Sequence, residues 1–348
     1  MRALPTEALL NWATEALGKG ATVLTVKDLH GGLSPWLLRI KHDGGTCDVV
    51  LRAADMVRIW PQAVATGAAA LGVAEAHGLA APRLLASDLG GHVTGVAATL
   101  ETAVSGSSAS PPRVSSERLR AAGAALARVH AVPLLPGRDL PLRLRASDID
   151  DFALERRWAT LYRASQDGDK PQVVGALCEL TGWSADRARQ VLGGPMASPL
   201  LHLADEWLRR VPRPQGETVL VHGDIWAGNM LWSIDTSVVL IDWKAAGAGD
   251  PGVDLGQLRL KMAVQYGPDA PAQVLDGWQR ESGRQFTEVA YWDVVAAVNS
   301  PVNLDDYEPG LDDQGREIGW SAKNRRRDAF LREALDQLGK RRDGQRLL

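Results

Sequence analysis

The chain has 348 residues, which at roughly 150 residues per domain predicts two domains or two large lobes rather than one core. Lysine and arginine total 39 against 42 aspartates and glutamates, a formal net charge of −3 that excludes a global nucleic-acid or membrane-surface footprint. With 45% hydrophobic and 23% charged residues, the composition excludes a disordered chain.

Residues 1–17 carry Glu7 and Glu15 and no uninterrupted apolar run. They predict an amphipathic helix rather than a secretory signal, and with it a cytoplasmic protein. Thr22 to Val26 reads as a strand, Leu29 to Ser34 as a glycine turn and Trp36 to Lys41 as the returning strand. After the turn Asp43-Gly44-Gly45, the β-branched stretch Cys47 to Arg52 predicts a third antiparallel strand. Ala63 to His77 has a helical pattern closed by Gly78, and strands are expected at Pro82 to Leu84 and Val93 to Leu100. The longest uncharged run, Ile59 to Ala74, is short and rich in alanine and glycine, so no membrane span is expected. Cys47 and Cys178 match no metal-ligand spacing and read as small buried thiols without a disulfide.

Composition changes across the loop Ser105 to Pro112, which places the lobe boundary at Glu101 to Ala103 and divides the chain into 1–102 and 103–348. Beyond it, Ser116 is expected to cap a helix with Leu119, Leu126 and Val129 on one face. Further helices are expected over Ile149 to Ser165, Val173 to Leu180 and Ala185 to Val191. Two short strands, Val219 to Val221 and Val238 to Ile241, interrupt this helical part. A last helix from Ser321 carries Phe330, Leu331, Ala334, Leu335 and Leu338 on one side, and its tail Gly339 to Gly344 is expected to fray.

His222-Gly223-Asp224 follows the first of those strands, Asn229 stands five residues past Asp224, and Asp242-Trp243 follows the second strand. Carboxylate and amide oxygens are hard ligands of the kind Mg²⁺ prefers, while the set makes a poor zinc site. Phosphoryl transfer asks of a protein little more than an in-line acceptor, a group to take its proton and cations across the phosphates.

These motifs, with Gly249-Asp250-Pro251 and Asp254-Leu255 after them, resemble the aminoglycoside phosphotransferase-like small-molecule kinases, relatives of the protein-kinase fold. The resemblance spans roughly Thr22 to Leu258. It implies an α+β, bilobal fold with an N-terminal antiparallel sheet plus one helix and a mainly helical C-terminal lobe. It implies transfer of the γ-phosphate of ATP or GTP, with Mg²⁺, to a hydroxyl of a small molecule. Asp224 would accept the hydroxyl proton, Asn229 and Asp242 would hold Mg²⁺, His222 would brace the loop, and Asp250 and Asp254 would be structural acids. Gly31, Gly32 and Ser34 stand where the family covers the nucleotide phosphates, and Arg52 stands where protein kinases place a phosphate-pairing lysine. Glu101 and Ala103 fall at the hinge whose backbone meets the purine ring. The family commonly has a glutamate in the following helix where this chain has Gly67. Either another acid orients Arg52, or the correspondence slips there, or the nucleotide is held differently.

The acceptor is less constrained. Asp148 to Asp151 and the loop with Asp305 and Asp306 would favour a cationic acceptor such as an aminoglycoside or amino sugar, or are solvated acids. Trp292 and Trp320 would stack on a sugar or line an apolar macrolide pocket, or pack in the core. A macrolide, amino-alcohol or sugar kinase on the same scaffold stays open, as does a non-catalytic nucleotide-binding regulatory protein.

Overall fold

A computed structural model of the protein describes residues 4–29, 35–54, 61–108, 111, 113–135, 142–144, 151–181, 183–194, 198–233, 237–304 and 320–345. Helix α1 (Glu7–Ala16) starts where the Thr6 hydroxyl accepts from the Leu9 amide, and it buries Leu9, Trp12 and Ala13. That face packs on a five-stranded antiparallel sheet of β1 (Thr22–Asp28), β2 (Trp36–His42), β3 (Gly45–Ala53), β4 (Leu84–Asp88) and β5 (Ala98–Thr102), ordered β1-β2-β3-β5-β4. Strand periodicity sends Trp36, Leu38, Ile40, Val49, Leu51 and Leu100 into this core. Arg52, Thr99 and Glu101 therefore lie on the opposite face, with Arg52 directly across from Thr99 and diagonal to Glu101. Helix α2 (Pro61–Ala76) stops before Gly78, whose φ of 65° suits glycine.

Two strand expectations shift. The strands occupy 84–88 and 98–102 because Asp88 draws the intervening chain into a turn, its carboxylate accepting from the amides of His92, Val93 and Thr94 at 2.9 Å each. Those bonds hold the Asp88 carboxyl well below the usual carboxylate range. Helix α3 (Ser116–His130) is capped by Ser115, whose hydroxyl accepts from the Arg118 amide, so the expected cap lies one residue late.

Beyond α3 come β6 (Arg143–Leu144), helices α4 (Asp151–Ala164), α5 (Lys170–Thr181), α6 (Ala185–Leu192) and α7 (Pro199–Leu208), and strands β7 (Val219–Val221), β8 (Met230–Trp232), β9 (Val238–Leu240) and β10 (Gly247–Gly249). Helices α8 (Gly252–Tyr266), α9 (Ala270–Ser282), α10 (Val289–Val298) and α11 (Trp320–Gln345) complete the chain, α11 continuing through the tail expected to fray. Strands β6, β10 and β7 form one small sheet, and β8 pairs with β9.

The chain divides into two compact units, one of Met1–Ala146, Gly216–Asp254 and Gln273–Gln285, the other of Ser147–Gln215, Leu255–Ala272 and Phe286–Leu348. In the second, Phe330, Leu331 and Ala334 are buried along one side of α11, and Arg259 pairs with Asp293 at 2.8 Å inside the core. Trp292 is 1% exposed there and serves the core, not an acceptor surface. Cys47 and Cys178 are free thiols, each half-buried rather than buried. Among the described residues, no helix is long and apolar enough to cross a membrane.

Candidate active site

The site grows from the end of β7, whose three residues are buried. Gly223 takes φ 78°, and the turn aims the His222 and Gly223 amides at the Asp254 carboxylate, 2.7 and 2.8 Å away. Asp254 is fully buried at the start of α8 and also meets His130 Nε2 at 3.1 Å. The Trp278 indole N–H donates to His130 Nδ1 at 2.9 Å, which assigns the ring proton to Nε2 and makes His130 a donor to Asp254. Burial works to raise the Asp254 pKa, but the His130 hydrogen bond and the backbone amide of Gly223 hold it below the usual range. The His222 ring accepts the Asp224 amide on Nδ1 at 3.4 Å and donates from Nε2 to the Ile241 carbonyl at 2.9 Å. One histidine thus ties the Asp224 turn to the strand end that carries Asp242.

Asn229 closes the loop from a 3₁₀ turn over Ala227–Asn229. Its amide donates to the Asp224 carbonyl at 2.8 Å and to Asp224 Oδ2 at 3.3 Å, while its own carbonyl accepts the Ile241 amide at 3.0 Å. Asp242 follows β9 with φ 66° and ψ 58°, and among the described residues it is the one non-glycine with positive φ. That strained conformation costs free energy and persists because the bonds around Asp242 over-determine it.

Those bonds form a line of alternating charge. Arg52 donates to Glu101 Oε1 at 3.0 Å and to Asp242 Oδ1 at 3.1 Å, and the Thr99 hydroxyl also donates to Glu101. The Lys244 ammonium bonds Asp242 Oδ2 and, at 3.1 Å, Asp224 Oδ2. Burial works against charge on Asp242, yet Arg52 and Lys244 keep its pKa below the usual carboxylate range. Burial likewise works against the cations, yet Asp242 with Asp224 raises the Lys244 pKa, and Glu101 with Asp242 raises that of Arg52. The Asp224 side chain is 35% exposed, against 16% for Asp242, so Asp224 is the more open of the two carboxylates. A cavity adjoins the line, bounded by Arg52, Val64, Gly67, Leu71, Glu101, Asp242 and Lys244.

The structure therefore brings together His222, Asp224, Asn229, Arg52, Glu101 and Asp242, with Asp254 beneath them. The acid that orients Arg52 is Glu101, on the neighbouring strand, and Gly67 is where α2 passes the Lys244 backbone; a Cβ there would stand 3.7 Å from the Lys244 nitrogen. Glu101 is 4% exposed and sits in the sheet between Val50 and Leu84, so its placement is that of a partner to Arg52. The Ala103 amide donates to the Asp48 carbonyl at 3.2 Å. Asp250 accepts the Gly252 amide at 2.7 Å and so caps the start of α8. Gly31, Gly32, Ser34, Asp305 and Asp306 lie outside the described residues, as do Asp148 and Asp150.

Sequence reasoning missed Lys244, His130 and Trp278. Only Lys244 left a signal, a basic residue two positions past an acid on a strand end; His130 and Trp278 come from distant helices and have none.

The chain matches the phosphotransferase enzyme family over residues 14–297. No curated protein sequence matches it. Its fold is similar to that of macrolide 2'-phosphotransferase MphH from Brachybacterium faecium, at 18% identity and a TM-score of 0.55 over 93% of this chain and 97% of that one. An aminoglycoside phosphotransferase from Alicyclobacillus acidocaldarius aligns at 15% identity and 0.52 over 98% of each chain. Spectinomycin phosphotransferase APH(9)-Ia, solved with ADP and spectinomycin, aligns at 12% identity and 0.53 over 95% of each chain. The α+β, protein-kinase-like fold expected from the motifs is thus the fold observed, and with a family match over most of its length this chain belongs to the phosphotransferase enzyme family, whose members pass a phosphoryl group to an alcohol acceptor.

Proposed function

We propose that this phosphotransferase moves the γ-phosphate of ATP, with Mg²⁺, to a hydroxyl of a small cytoplasmic molecule, an aminoglycoside or other amino sugar being the class favoured. The observation that carries the reading is the convergence of Asp224 and Asp242 on one cation, Lys244, with Asn229 bonded to Asp224 and Arg52 bonded to Asp242. Two carboxylates that already gather around a positive charge, with the Asn229 side-chain amide bonded to one of them, suit a hard divalent cation. Asp242 and Asn229 would hold that Mg²⁺, which when bound would neutralise charge on the phosphates. Asp224, the exposed member, takes the proton of the acceptor hydroxyl as its oxygen bonds the γ-phosphorus and ADP departs. Arg52 offers its planar fork to phosphate oxygens, held in direction by Glu101. His222, Asp250 and Asp254 keep the loop in shape.

In this reading residues 1–102 carry the nucleotide, with Gly31, Gly32 and Ser34 over its phosphates and the backbone of 99–103 at its base. Residues 103–348 carry the catalytic loop and the acceptor surface, including Asp305 and Asp306. Nucleotide use is supported by solved relatives of the fold bound to ADP or AMP. The amino-sugar preference is supported by the aminoglycoside and spectinomycin phosphotransferases among the solved structures of similar fold.

The test is transfer from ATP and from GTP, each with Mg²⁺, to a panel of aminoglycosides, macrolides, amino sugars and amino alcohols, read by product mass. A gain of one phosphate on an amino sugar, lost by about 10³-fold in Asp224→Ala with nucleotide affinity kept, is the expected result. Transfer to another panel member alone would replace the acceptor class, and near-wild-type turnover in Asp224→Ala would remove Asp224 from its role.

A further inference from the structure

Lys244 sits in the 3₁₀ turn Trp243–Ala245, and its ammonium bonds the carboxylates of both Asp224 and Asp242. An ammonium is a compact point charge with three donors, and two of the three are committed here. The turn that carries it is pinned from two sides. The Trp243 indole donates to the Leu240 carbonyl at 2.9 Å, and helix α2 runs close enough that Gly67 lies in contact range of the Lys244 backbone. The side chain is 22% exposed, so the charge is neither sealed in nor loose in solvent.

Without this cation, Asp224 and Asp242 would face each other as unscreened like charges that repel. With it, Asp242, the carboxylate that would hold a divalent cation, already carries a cationic partner. Two cations crowded on one carboxylate in a low-dielectric setting repel each other.

We propose that Lys244 is a positioning residue that serves as the resident counter-ion of the Asp224 and Asp242 pair. In the nucleotide-free protein it keeps both carboxylates converged, and it yields Asp242 when a divalent cation arrives, so it sets how much metal the site requires. The inference rests on the metal role given to Asp242 under the proposed function. Gly67 fits the same design, since a glutamate there would bring a further carboxylate beside the turn that carries Lys244.

The experiment measures Mn²⁺ binding to the nucleotide-free full chain from the free-ion EPR signal, in wild type, Lys244→Met, Lys244→Gln, Lys244→Arg and the Lys244→Met/Asp242→Asn double variant, each checked for a native melting transition. The two neutral variants are expected to bind Mn²⁺ about 10-fold tighter than wild type, because a competing charge is gone. Lys244→Arg, which keeps the charge, should stay within about twofold of wild type, and the double variant should lose the gain. Equal Mn²⁺ affinity in wild type and both folded neutral variants would overturn the proposal. A gain that persists in the double variant would overturn the competition at Asp242. Failure of phosphate transfer by the wild-type chain would undo the proposed function while leaving the Mn²⁺ difference intact, so the two failures can be told apart.

Discussion

Two buried charge clusters stand side by side in the first unit and are built on opposite principles. The line from Asp224 through Lys244, Asp242 and Arg52 to Glu101 opens toward solvent at one end, adjoins a cavity and spends cations on carboxylates. The cluster of Trp278, His130 and Asp254 is sealed, and its carboxylate is satisfied by two backbone amides and a neutral ring. At the open end of the line, Asp224 and Lys244 can exchange partners at modest cost, because water reaches them. In the sealed cluster every lost partner leaves a polar group stranded. The first is suited to chemistry and the second to holding the chemistry's backbone still.

The sharpest way to break this comparison is to remove the sealed acid. Asp254→Ala strands the His222 and Gly223 amides and the His130 N–H. It should cost at least about 3 kcal/mol of stability in a denaturant titration, since each stranded donor costs about 1–3 kcal/mol, with transfer activity falling alongside. A loss below about 1 kcal/mol would mean the cluster is not sealed in solution.

The open line should respond differently. Glu101→Gln releases Arg52 from one acid while Asp242 still holds it, so the melting temperature should change little. Nucleotide Kd should rise about 10-fold, the scale seen when an outer partner of a binding group is lost. A large stability loss with unchanged nucleotide affinity would reverse the roles of the two clusters.

The smallest effect sharpens the comparison by pH. Asp254 and Asp242 have native pKa values below their unfolded values, so their contribution is full above the unfolded carboxylate pKa of about 4 and fades as pH falls toward the native values. Wild-type melting temperature should therefore drop between pH 5 and pH 3, measured over about that range. Asp254→Asn, which does not titrate there, should show a shallower drop; an equal slope would assign the acid sensitivity elsewhere.

Much of the sheet and of the candidate catalytic loop was legible from local pattern. Alternating apolar residues marked β2 and β3, and the spacing of His222, Asp224, Asn229 and Asp242 marked the loop, because strand period and ligand chemistry act over a few residues. The misplaced strands near Asp88 show the limit of such pattern. The segment at Val93 has strand composition, yet one carboxylate takes its amides and turns it. The Arg52 question was of the same kind, since the missing helix acid is replaced by Glu101, a residue 49 positions away in sequence.

By itself, then, the sequence determined the enzyme class and the spacing of the acids and amide proposed to react, since those depend on residue type at short spacing. Which acid faces Arg52, which ring supports Asp254 and which cation joins Asp224 to Asp242 were decided only by the tertiary structure. Those pairings depend on strand register, helix packing and the turn after β9, and all but the Lys244–Asp242 contact join segments separated in the chain, where local periodicity carries no information about which side chains meet.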